Sequence, residues 1–454
     1  MQRKRIQKLI IFPLVLCVLY FISCKPVKNT SKEVFANPTL FNNAVFQLNW
    51  VFMGNNFSPI VASRNYAYAS IAAYEVIVQG YPKEFNSLVG QLHGFEKIYK
   101  CPDTTLINFD YAALLAFCRV GEAVTFPEGS LHNYFDTLDL LAQNSGMPEE
   151  VQEATQQFAD SIAKSIIAWS KLDNYAQTRT AEKYHVKLDS DWRWTPTPPG
   201  YFQATEPHWN EIRSFVLDNS NQFLPPPPLA FNIKNKNSPY YKEVQALIKT
   251  KENLTAEQKH IADFWDDNPF KLNVIGHVMY SNKKFSPPGH WMGIVGQACI
   301  QAKYDFPNTV YAYAFSAITM FDAFIQTWDA KYYYNTARPV TVINKFFDPN
   351  WEPYLQTPPF PEYTCGHSTI SAAIAETLTQ IFGDNFSFTD STENPFGIAP
   401  RHFNSFRAAA LENNLARYYG GIHFHSSCLV STKMGIEVGQ FIDNKLQFKI
   451  NKKK

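Results

Sequence analysis

One long uninterrupted helical pattern restricts the fold of this chain more than any other feature. The segment YAYAFSAITMFDAFIQTWDAKYYYNTARP, residues 311–339, contains no glycine and no proline before Pro339. Proline disfavours the helical conformation of the residue before it, so the pattern predicts one continuous helix that ends at this point. A chain organised around such a segment is expected to be largely helical.

Further amphipathic patterns indicate that helices make up most of the chain. Thr255 is followed by Gln258 at the spacing of a capping box, and Gly383 and Gly420 stand where two later helices would end. The helical patterns cover residues 63–78, 147–170, 254–267, 368–383, 404–421 and about 423–442. Strand-like alternation is not prominent. The expected fold class is therefore all-α, with helical bundles joined by long proline-rich loops.

Proline-rich segments divide the chain into two expected halves. DWRWTPTPPGY (191–201) and FLPPPPLAF (223–231) cannot form the interior of a helix, because proline lacks the amide hydrogen. We interpret them as long surface connections, and the tetraproline as a stiff loop rather than a binding motif. The predicted organisation is an N-terminal helical half at 41–230 and a C-terminal helical half at 231–454.

The N-terminus has the layout of a targeting segment. Basic residues in MQRKRIQK precede an apolar run from Leu9 to Ile22, which is too short to span a bilayer comfortably. The run ends in FISC, which predicts a lipoprotein-type signal peptide at 1–23, a lipidated Cys24 and a tether at 24–40. The alternative is an ordinary secretory signal. Lipidation would anchor the protein to a membrane of a bacterial cell envelope, periplasmic or at the surface.

The composition excludes some classes of partner. Lys and Arg number 41 against 40 Asp and Glu, for a net charge of +1, whereas nucleic-acid-binding proteins usually show a basic excess. We therefore expect no nucleic-acid partner. Five cysteines follow Cys24 without a CxxC motif, so at least one of them is unpaired within the chain. The oligomeric state is open between a monomer and a homo-oligomer.

Two segments in the C-terminal half carry side chains suited to binding an oxyanion. Lys331 and Arg338 are seven residues apart, which on a continuous helix places both on one face, where they can converge on one small anion. In TCGH, a helix is expected to begin near Ser368, so the Gly366 amide can point at an anion at the positive end of that helix. His367 then stands where it can give or take a proton.

A third segment, ARYYGGIHFH, places a glycine corner between two further candidates. Gly420 and Gly421 can turn the chain so that Arg417, at the end of one helix, and His423, at the start of the next, reach the same small volume. Arginine has a planar fork of donors that suits tetrahedral oxyanions. His423 could attack or ligate the central atom of such an ion.

Taken in this order, the three segments resemble the type 2 phosphatidic acid phosphatase and vanadium-dependent haloperoxidase superfamily. Its pattern is Lys-x6-Arg-Pro, then Gly-His, then Arg-x5-His. The similarity to bacterial haloperoxidase-type homologues extends over residues 40–445. It is carried by SPIVASRNYAYASIAAYEVIV, WRWTPTPP, LTAEQKHIADFWDD, PPGHW, FDAFIQTWDAKYYYNTARPV and YYGGIHF.

The resemblance implies helical bundles around a buried vanadate or phosphate site. The implied oxyanion-binding residues are Lys331, Arg338, Cys365, Gly366 and Arg417. His423 would bond the central atom, either as a vanadium ligand or as a phosphate-accepting nucleophile, and His367 would be the acid–base group. Trp328 and Phe360 fall where the haloperoxidases place aromatic pocket walls. Asp267 is expected either to pair with an arginine or to be a plain surface carboxylate.

The chain departs from the superfamily at one position. The usual Pro-Ser-Gly-His is replaced by TCGH, so Cys365 stands where a serine donates a hydrogen bond to the oxyanion. A thiol is a weaker donor than a hydroxyl, and peroxide can oxidise it. This substitution favours a phosphatase over a peroxidase.

The overall resemblance nevertheless favours a haloperoxidase-like oxidoreductase, with vanadate as cofactor and with peroxide and halide as small-molecule substrates. The alternative is an acid phosphatase that acts on a phosphoester in the same pocket, without a metal, through a phosphohistidine intermediate. A surface lipoprotein that binds an oxyanion without turnover is disfavoured, since its site would be expected to have lost part of the set of cations and histidines.

Overall fold

Helices account for nearly all regular structure in the computed structural model, which describes residues 28–125, 129–269, 271–275 and 277–450. The expected all-α class is confirmed. The helices are α1 (Ser31–Phe35), α2 (Pro38–Gly54), α3 (Pro59–Gly80), α4 (Phe109–Thr125), α5 (Ser130–Asn144), α6 (Glu149–Ser170), α7 (Tyr175–Thr178), α8 (Pro239–Glu252), α9 (Ala256–Phe264), α10 (Pro287–Gln301), α11 (Phe306–Tyr334), α12 (Pro339–Phe346), α13 (Gly366–Phe382), α14 (Phe406–Tyr419) and α15 (His425–Lys445).

The predicted long helix is α11, and it packs against helices from both expected halves of the chain. Its N-cap Asp305 accepts a hydrogen bond from the Asn308 amide at 3.0 Å. Most of its side chains are buried, as expected for a helix surrounded by others. One hydrophobic core includes Ile71 of α3 and Phe321 of α11, and full burial of each such side chain contributes roughly 1.5–3 kcal/mol. The core therefore crosses the boundary expected at residue 230.

The end of α11 differs from the prediction. The helix ends at Tyr334, because Asn335 adopts a left-handed conformation with φ 51° and its carbonyl accepts a hydrogen bond from the Trp194 amide at 3.0 Å. The proline-rich loop at 191–201 thus pairs with the chain that leaves the helix. We expected Lys331 and Arg338 to share a helical face. They do not, because Arg338 lies beyond the end of α11 and is the N-cap of α12.

The segment after α14 also differs from the prediction. We expected the last helix to begin near His423, but α15 begins at His425, with Phe424 as an extended N-cap residue. His423 therefore lies in the short loop between α14 and α15. Gly421 gives this loop its turn through a left-handed φ of 74°.

α13 and α15 lie side by side with their backbones in contact. A Cβ added to Gly435 would collide with the carbonyl oxygen of Thr369, and one added to Gly439 would lie 2.6 Å from the carbonyl oxygen of Ala373. Both helices advance by four residues between these two contacts, so they run parallel. We refer to Gly435 and Gly439 as the glycine contact.

Two short antiparallel sheets supplement the helices. β1 (Lys271–Ile275) pairs with β2 (Val278–Asn282), and β3 (Phe388–Asp390) pairs with β4 (Arg401–Phe403). The sequence did not predict them, since three to five residues are too few for alternation to stand out. Asp390, the last residue of β3, lies next to α10.

Part of the segment expected to be a tether is folded. Residues 31–35 form α1, and Phe35 is fully buried with its ring centroid 4.4 Å from that of Tyr111. The Thr30 amide donates a hydrogen bond to the Ser145 carbonyl at 2.8 Å. The expected signal peptide and Cys24 lie outside the described residues. In the part of the chain that is described, no helix has the length and apolar character needed to cross a membrane.

Candidate active site

A small cavity lies where the N-terminus of α13 meets the loop between α14 and α15. The residues that line it include Trp328, Phe360, Gly366, His367, Arg417 and His423. About 40 Å³ is open to the centres of water-sized molecules, and one water needs roughly 10–15 Å³ on this measure. In this structure the cavity therefore has room for a small ion with a few waters. Trp328 and Phe360 form its aromatic wall, with ring centroids 5.0 Å apart.

His423 is buried at this cavity with both ring nitrogens engaged. Its Nδ1 lies 2.9 Å from Oε1 of Glu362, and its Nε2 lies 3.0 Å from Nη1 of Arg338. A guanidinium can only donate, so Nε2 is the acceptor and Nδ1 carries the proton that is donated to Glu362. Nε2 is therefore unprotonated, which is the form that a metal ligand requires, and in this structure its lone pair accepts the hydrogen bond from Arg338.

Glu362 is a functional candidate that the sequence analysis missed. Besides the His423 ring, its carboxylate accepts hydrogen bonds from the Phe424 amide at 3.2 Å and from the Ser427 hydroxyl at 2.9 Å. A carboxylate that accepts from the remote nitrogen of a ligating histidine fixes its tautomer and raises its basicity. The available signal was a single acidic residue in the proline-rich run PPFPEYTCGH, shortly before His367.

Arg338, the N-cap of α12, is fully buried behind the cavity lining, in contact with His423 and Phe360. It donates to the Phe360 carbonyl from Nε at 2.8 Å and to the Ile422 carbonyl from Nη1 at 2.9 Å, while Nη2 has no partner among the described residues. Burial lowers the pKa of Arg338 to about 10, which still leaves the side chain charged at neutral pH. One buried nitrogen of this guanidinium is thus without an acceptor among the described residues.

Lys331 is close to the site but its donors are already used. The ammonium group donates to the carbonyls of Pro361 at 2.9 Å, Glu362 at 3.2 Å and Thr364. An ammonium has three hydrogens, so these carbonyls saturate it. Burial, followed by the charge of Arg338, lowers the pKa of Lys331 well below its usual value. In this structure Lys331 holds the loop at 361–364 and adds positive potential to the site.

Arg417 and His367 complete the polar lining. Arg417 donates from Nη1 to the Trp265 carbonyl at 2.9 Å, and its buried Nε has no partner within the described part of the chain. Nε2 of His367 is likewise buried without a partner there. Burial, and then the charge of Arg417, lowers the pKa of His367 well below its usual value, so this imidazole is neutral. Gly366, the first residue of α13, lines the cavity beside it.

Cys365 is the N-cap of α13 and is fully buried. Its thiol contacts the ring of His423 and the thiol of Cys428 rather than lining the cavity. Burial opposes ionisation, but the Cys428 hydrogen bond and His423 lower the pKa of Cys365 well below its usual value. We expected this thiol among the oxyanion donors, but it lies behind the residues that line the cavity.

Behind the cavity lies a buried network of ionisable groups around His290. Its Nδ1 is 2.8 Å from Oδ1 of Asp267, and its Nε2 is 2.8 Å from Oδ2 of Asp390. Asp267 also lines the cavity, so it is not a surface carboxylate. One ligand atom each from Asp267, His290 and Glu393 lies within 4.8 Å of the others. Carboxylate donors suit a cation, so this network is not the place for an oxyanion.

The residues at the cavity fit vanadate. Arg417 lines it, Arg338 contacts His423 from behind the lining, and one buried guanidinium nitrogen of each has no partner among the described residues. Unsatisfied buried donors are costly, and an oxyanion would satisfy them. The Nε2 lone pair of His423 supplies the one ligand that must bond vanadium itself.

Comparisons with known proteins agree with this geometry. The family model for the VCPO second helical-bundle domain matches residues 311–452. A solved structure described as the first bacterial vanadium-dependent iodoperoxidase is 40% identical, with a TM-score of 0.86, and the match covers 92% of this chain and 99% of that chain. No curated protein matches the chain.

More distant solved structures share the fold. A holo-type bacterial vanadium-dependent chloroperoxidase is 16% identical with a TM-score of 0.66, covering 86% of this chain and 92% of that chain. The corresponding apo-type structure is 17% identical with a TM-score of 0.64, covering 86% and 95%. Because 40% identity extends over nearly the whole of both this chain and the iodoperoxidase, the protein belongs to the vanadium-dependent haloperoxidase family.

Proposed function

We propose that the protein is a vanadate-dependent haloperoxidase that uses peroxide to oxidise iodide. The observation that carries the proposal is the state of His423. Its Nδ1–H is held by Glu362, so its Nε2 is unprotonated at a cavity lined by Arg417, whose buried Nε has no partner among the described residues. A bond from Nε2 to vanadium would replace its hydrogen bond from Arg338. Iodide is proposed because the solved structure that shares 40% identity is described as an iodoperoxidase.

The residues divide into a ligand, cations and a positioning carboxylate. His423 would hold vanadium through Nε2, and Glu362 would keep the ring in the required tautomer. Arg338 and Arg417 would donate to the oxygens of the bound ion, with the Gly366 amide as a further donor. Bound vanadate supplies Lewis-acid activation of peroxide for oxygen transfer to halide. Lys331 contributes charge at this site while it holds the loop at 361–364.

His367 is proposed to move the proton of the incoming peroxide. Its neutral imidazole has a buried Nε2 without a partner in the described structure, next to the place where the anion would bind. A neutral imidazole can accept the proton that peroxide loses on binding and later return it to a departing oxygen. Trp328 and Phe360 exclude bulk water from this exchange.

The size of the cavity limits which molecules react inside it. In this structure the cavity has little room for an organic acceptor beside a bound oxyanion. Oxidised halide must therefore leave the cavity before it meets an organic molecule. We expect little selectivity among accessible acceptors of similar reactivity.

The proposal is tested with purified protein, prepared with and without orthovanadate. Peroxide-dependent iodide oxidation should require orthovanadate, and phosphate release from a general phosphoester should stay at background. Phosphate release without iodide oxidation would overturn the haloperoxidase and support the phosphatase.

Paired histidine variants give the test a matched control. His423→Ala should abolish iodide oxidation, whereas His425→Ala should retain it, because His425 lies two residues away and packs against Tyr418 instead of the cavity. His367→Gln should keep vanadate binding and lose about 10²–10⁴ in kcat. Retained turnover in His423→Ala would show that vanadate is not held as proposed.

A further inference from the structure

Two thiols interact next to the cavity, and one of them, Cys428, has no part in binding an oxyanion. Cys365 and Cys428 are both fully buried, and their side chains are in hydrogen-bonding contact with each other. They come from different helices, so the tertiary fold alone has brought them together. Both are free thiols in the structure.

Hydrogen bonds through Ser431 hold together the two segments that carry these thiols. The Cys365 amide donates to the Ser431 hydroxyl at 2.7 Å, and Ser431 in turn donates to the Ser427 carbonyl at 2.6 Å. Ser431 lies about one turn of α15 after Cys428, on the same side of the helix. One turn further along, Gly435 brings α13 and α15 into backbone contact. These two contacts fix α15 against the start of α13 on the C-terminal side of Cys428.

The other cysteines of the described residues have different surroundings. Cys101 donates from its thiol to the Asp103 carbonyl at 2.9 Å, and it is only partly buried. Cys118 and Cys299 are buried in the hydrophobic core, on α4 and α10. They provide internal controls for any reaction specific to the pair.

The proposed function brings an oxidant to the pair. Gly366 and His423 both line the cavity, and Cys365 is covalently next to the first and in contact with the second. Peroxide in the cavity is therefore separated from the Cys365 sulfur by one residue. Vanadate bound to His423 would take up that peroxide, so the protein without vanadate is the form in which peroxide reaches the thiol.

We propose that Cys365 and Cys428 form a disulfide when peroxide enters the cavity in the absence of vanadate. The Cys365 sulfur attacks one peroxide oxygen, the O–O bond breaks, and Cys365 sulfenic acid and water form. The Cys428 sulfur then attacks the sulfenic sulfur, the S–O bond breaks, and a second water leaves with the Cys428 proton. The two thiols lose two electrons and peroxide gains them. The inference rests on the proposed function for the entry of peroxide.

The disulfide would protect the site where serine is replaced by cysteine. A sulfenic acid without a second thiol continues to sulfinic and sulfonic acids, which are not reversed by ordinary thiols. Cys428 stops this sequence at a state that dithiothreitol can reduce.

The test exposes vanadate-free protein to hydrogen peroxide and follows its thiols. Wild type should lose two thiols and the mass of two hydrogens, and non-reducing peptide mapping should link Cys365 to Cys428. Preloading with orthovanadate should slow this loss. Dithiothreitol should restore both thiols. A wild type that gains oxygen at Cys365 without forming the link, or that does not react at all, would refute the proposal.

Variants separate the two thiols. In Cys428→Ser, dimedone present while the protein is unfolded should trap Cys365 sulfenic acid, and prolonged exposure to peroxide should add further oxygens. Cys428→Ala provides a second version if the serine variant folds poorly. Cys118→Ser should behave as wild type. Thiol oxidation is measured without vanadate or halide, so it is independent of turnover. A disulfide without iodide oxidation contradicts only the proposed function, and iodide oxidation without a disulfide contradicts only this inference.

Discussion

Glu362→Gln tests whether the His423 tautomer governs vanadate binding. The glutamine keeps the shape of the side chain but gives the His423 Nδ1–H, now 2.9 Å from a carboxylate oxygen, a neutral acceptor. Loss of such a partner behind a metal-ligating histidine usually costs 10- to 100-fold in affinity. Removing a negative charge near Arg338 and Lys331 acts in the opposite direction, because it makes the cavity more positive.

The two effects are separated by comparing vanadate with phosphate. Both are tetrahedral anions, so the change in charge favours both, but only vanadate gains from a bond to Nε2 of His423. We therefore expect the ratio of the vanadate Kd to the phosphate Kd to rise about 10- to 100-fold in Glu362→Gln. Isothermal titration calorimetry at one pH and one salt concentration measures both constants.

Glu243→Gln is the matched control. The Glu243 carboxylate also accepts hydrogen bonds from the α15 end of the site, from the Ser426 amide at 2.6 Å and the Ser426 hydroxyl at 2.8 Å, but not from His423. In Glu243→Gln, the ratio of the vanadate Kd to the phosphate Kd should equal that of wild type. An unchanged ratio in Glu362→Gln, or an equal change in the control, would refute the role of Glu362 in setting the tautomer.

Three further outcomes are expected. Arg417→Ala should weaken vanadate binding about 10- to 150-fold through loss of a charge-assisted hydrogen bond, whereas Arg407→Ala, at a half-exposed pair outside the site, should not change it in calorimetry. Burial alone would lower the pKa of His290, but its two flanking aspartates raise it well above the usual value. Its contribution to stability should therefore be complete below about pH 6.5 and be lost as the pH rises through the raised pKa. Urea unfolding across this range should show the loss in wild type, and a wild-type pH dependence in His290→Gln would contradict it. Mass spectrometry of the native protein should find a lipidated Cys24 at the mature N-terminus, and an unmodified cysteine there would exclude the lipid anchor.

The sequence indicated most residues of the site because they occur in short motifs. Arg417 and His423 flank a glycine corner, and Gly366 and His367 open a helix, so local structure alone brings each pair near a cavity. Glu362 has no such local signal. Its partner Phe424 is 62 residues away along the chain, and the fold rather than the sequence makes that contact.

Lys331 and Arg338 show a different limit of the sequence. The helical pattern continues past Tyr334, and nothing in it reveals that the loop at 191–201 pairs with the next residues. Asn335 was the available clue, because asparagine adopts the left-handed conformation more readily than most residues. Lys331 was expected to bind the anion. In the structure its N–H groups donate to loop carbonyls, whose positions the sequence could not predict.

The glycine contact between α13 and α15 has a consequence for how variation in the chain reaches the site. No side chain separates the two backbones at Gly435 and Gly439, so their spacing is set by peptide groups, which do not repack. Side-chain exchanges elsewhere in the core can relax without altering the distance between the TCGH turn and the His423 loop. A single methyl group at Gly435 cannot relax in this way, because it meets the Thr369 carbonyl oxygen. The tolerance of the site to sequence change is therefore set by a position that contacts neither the anion nor its ligands.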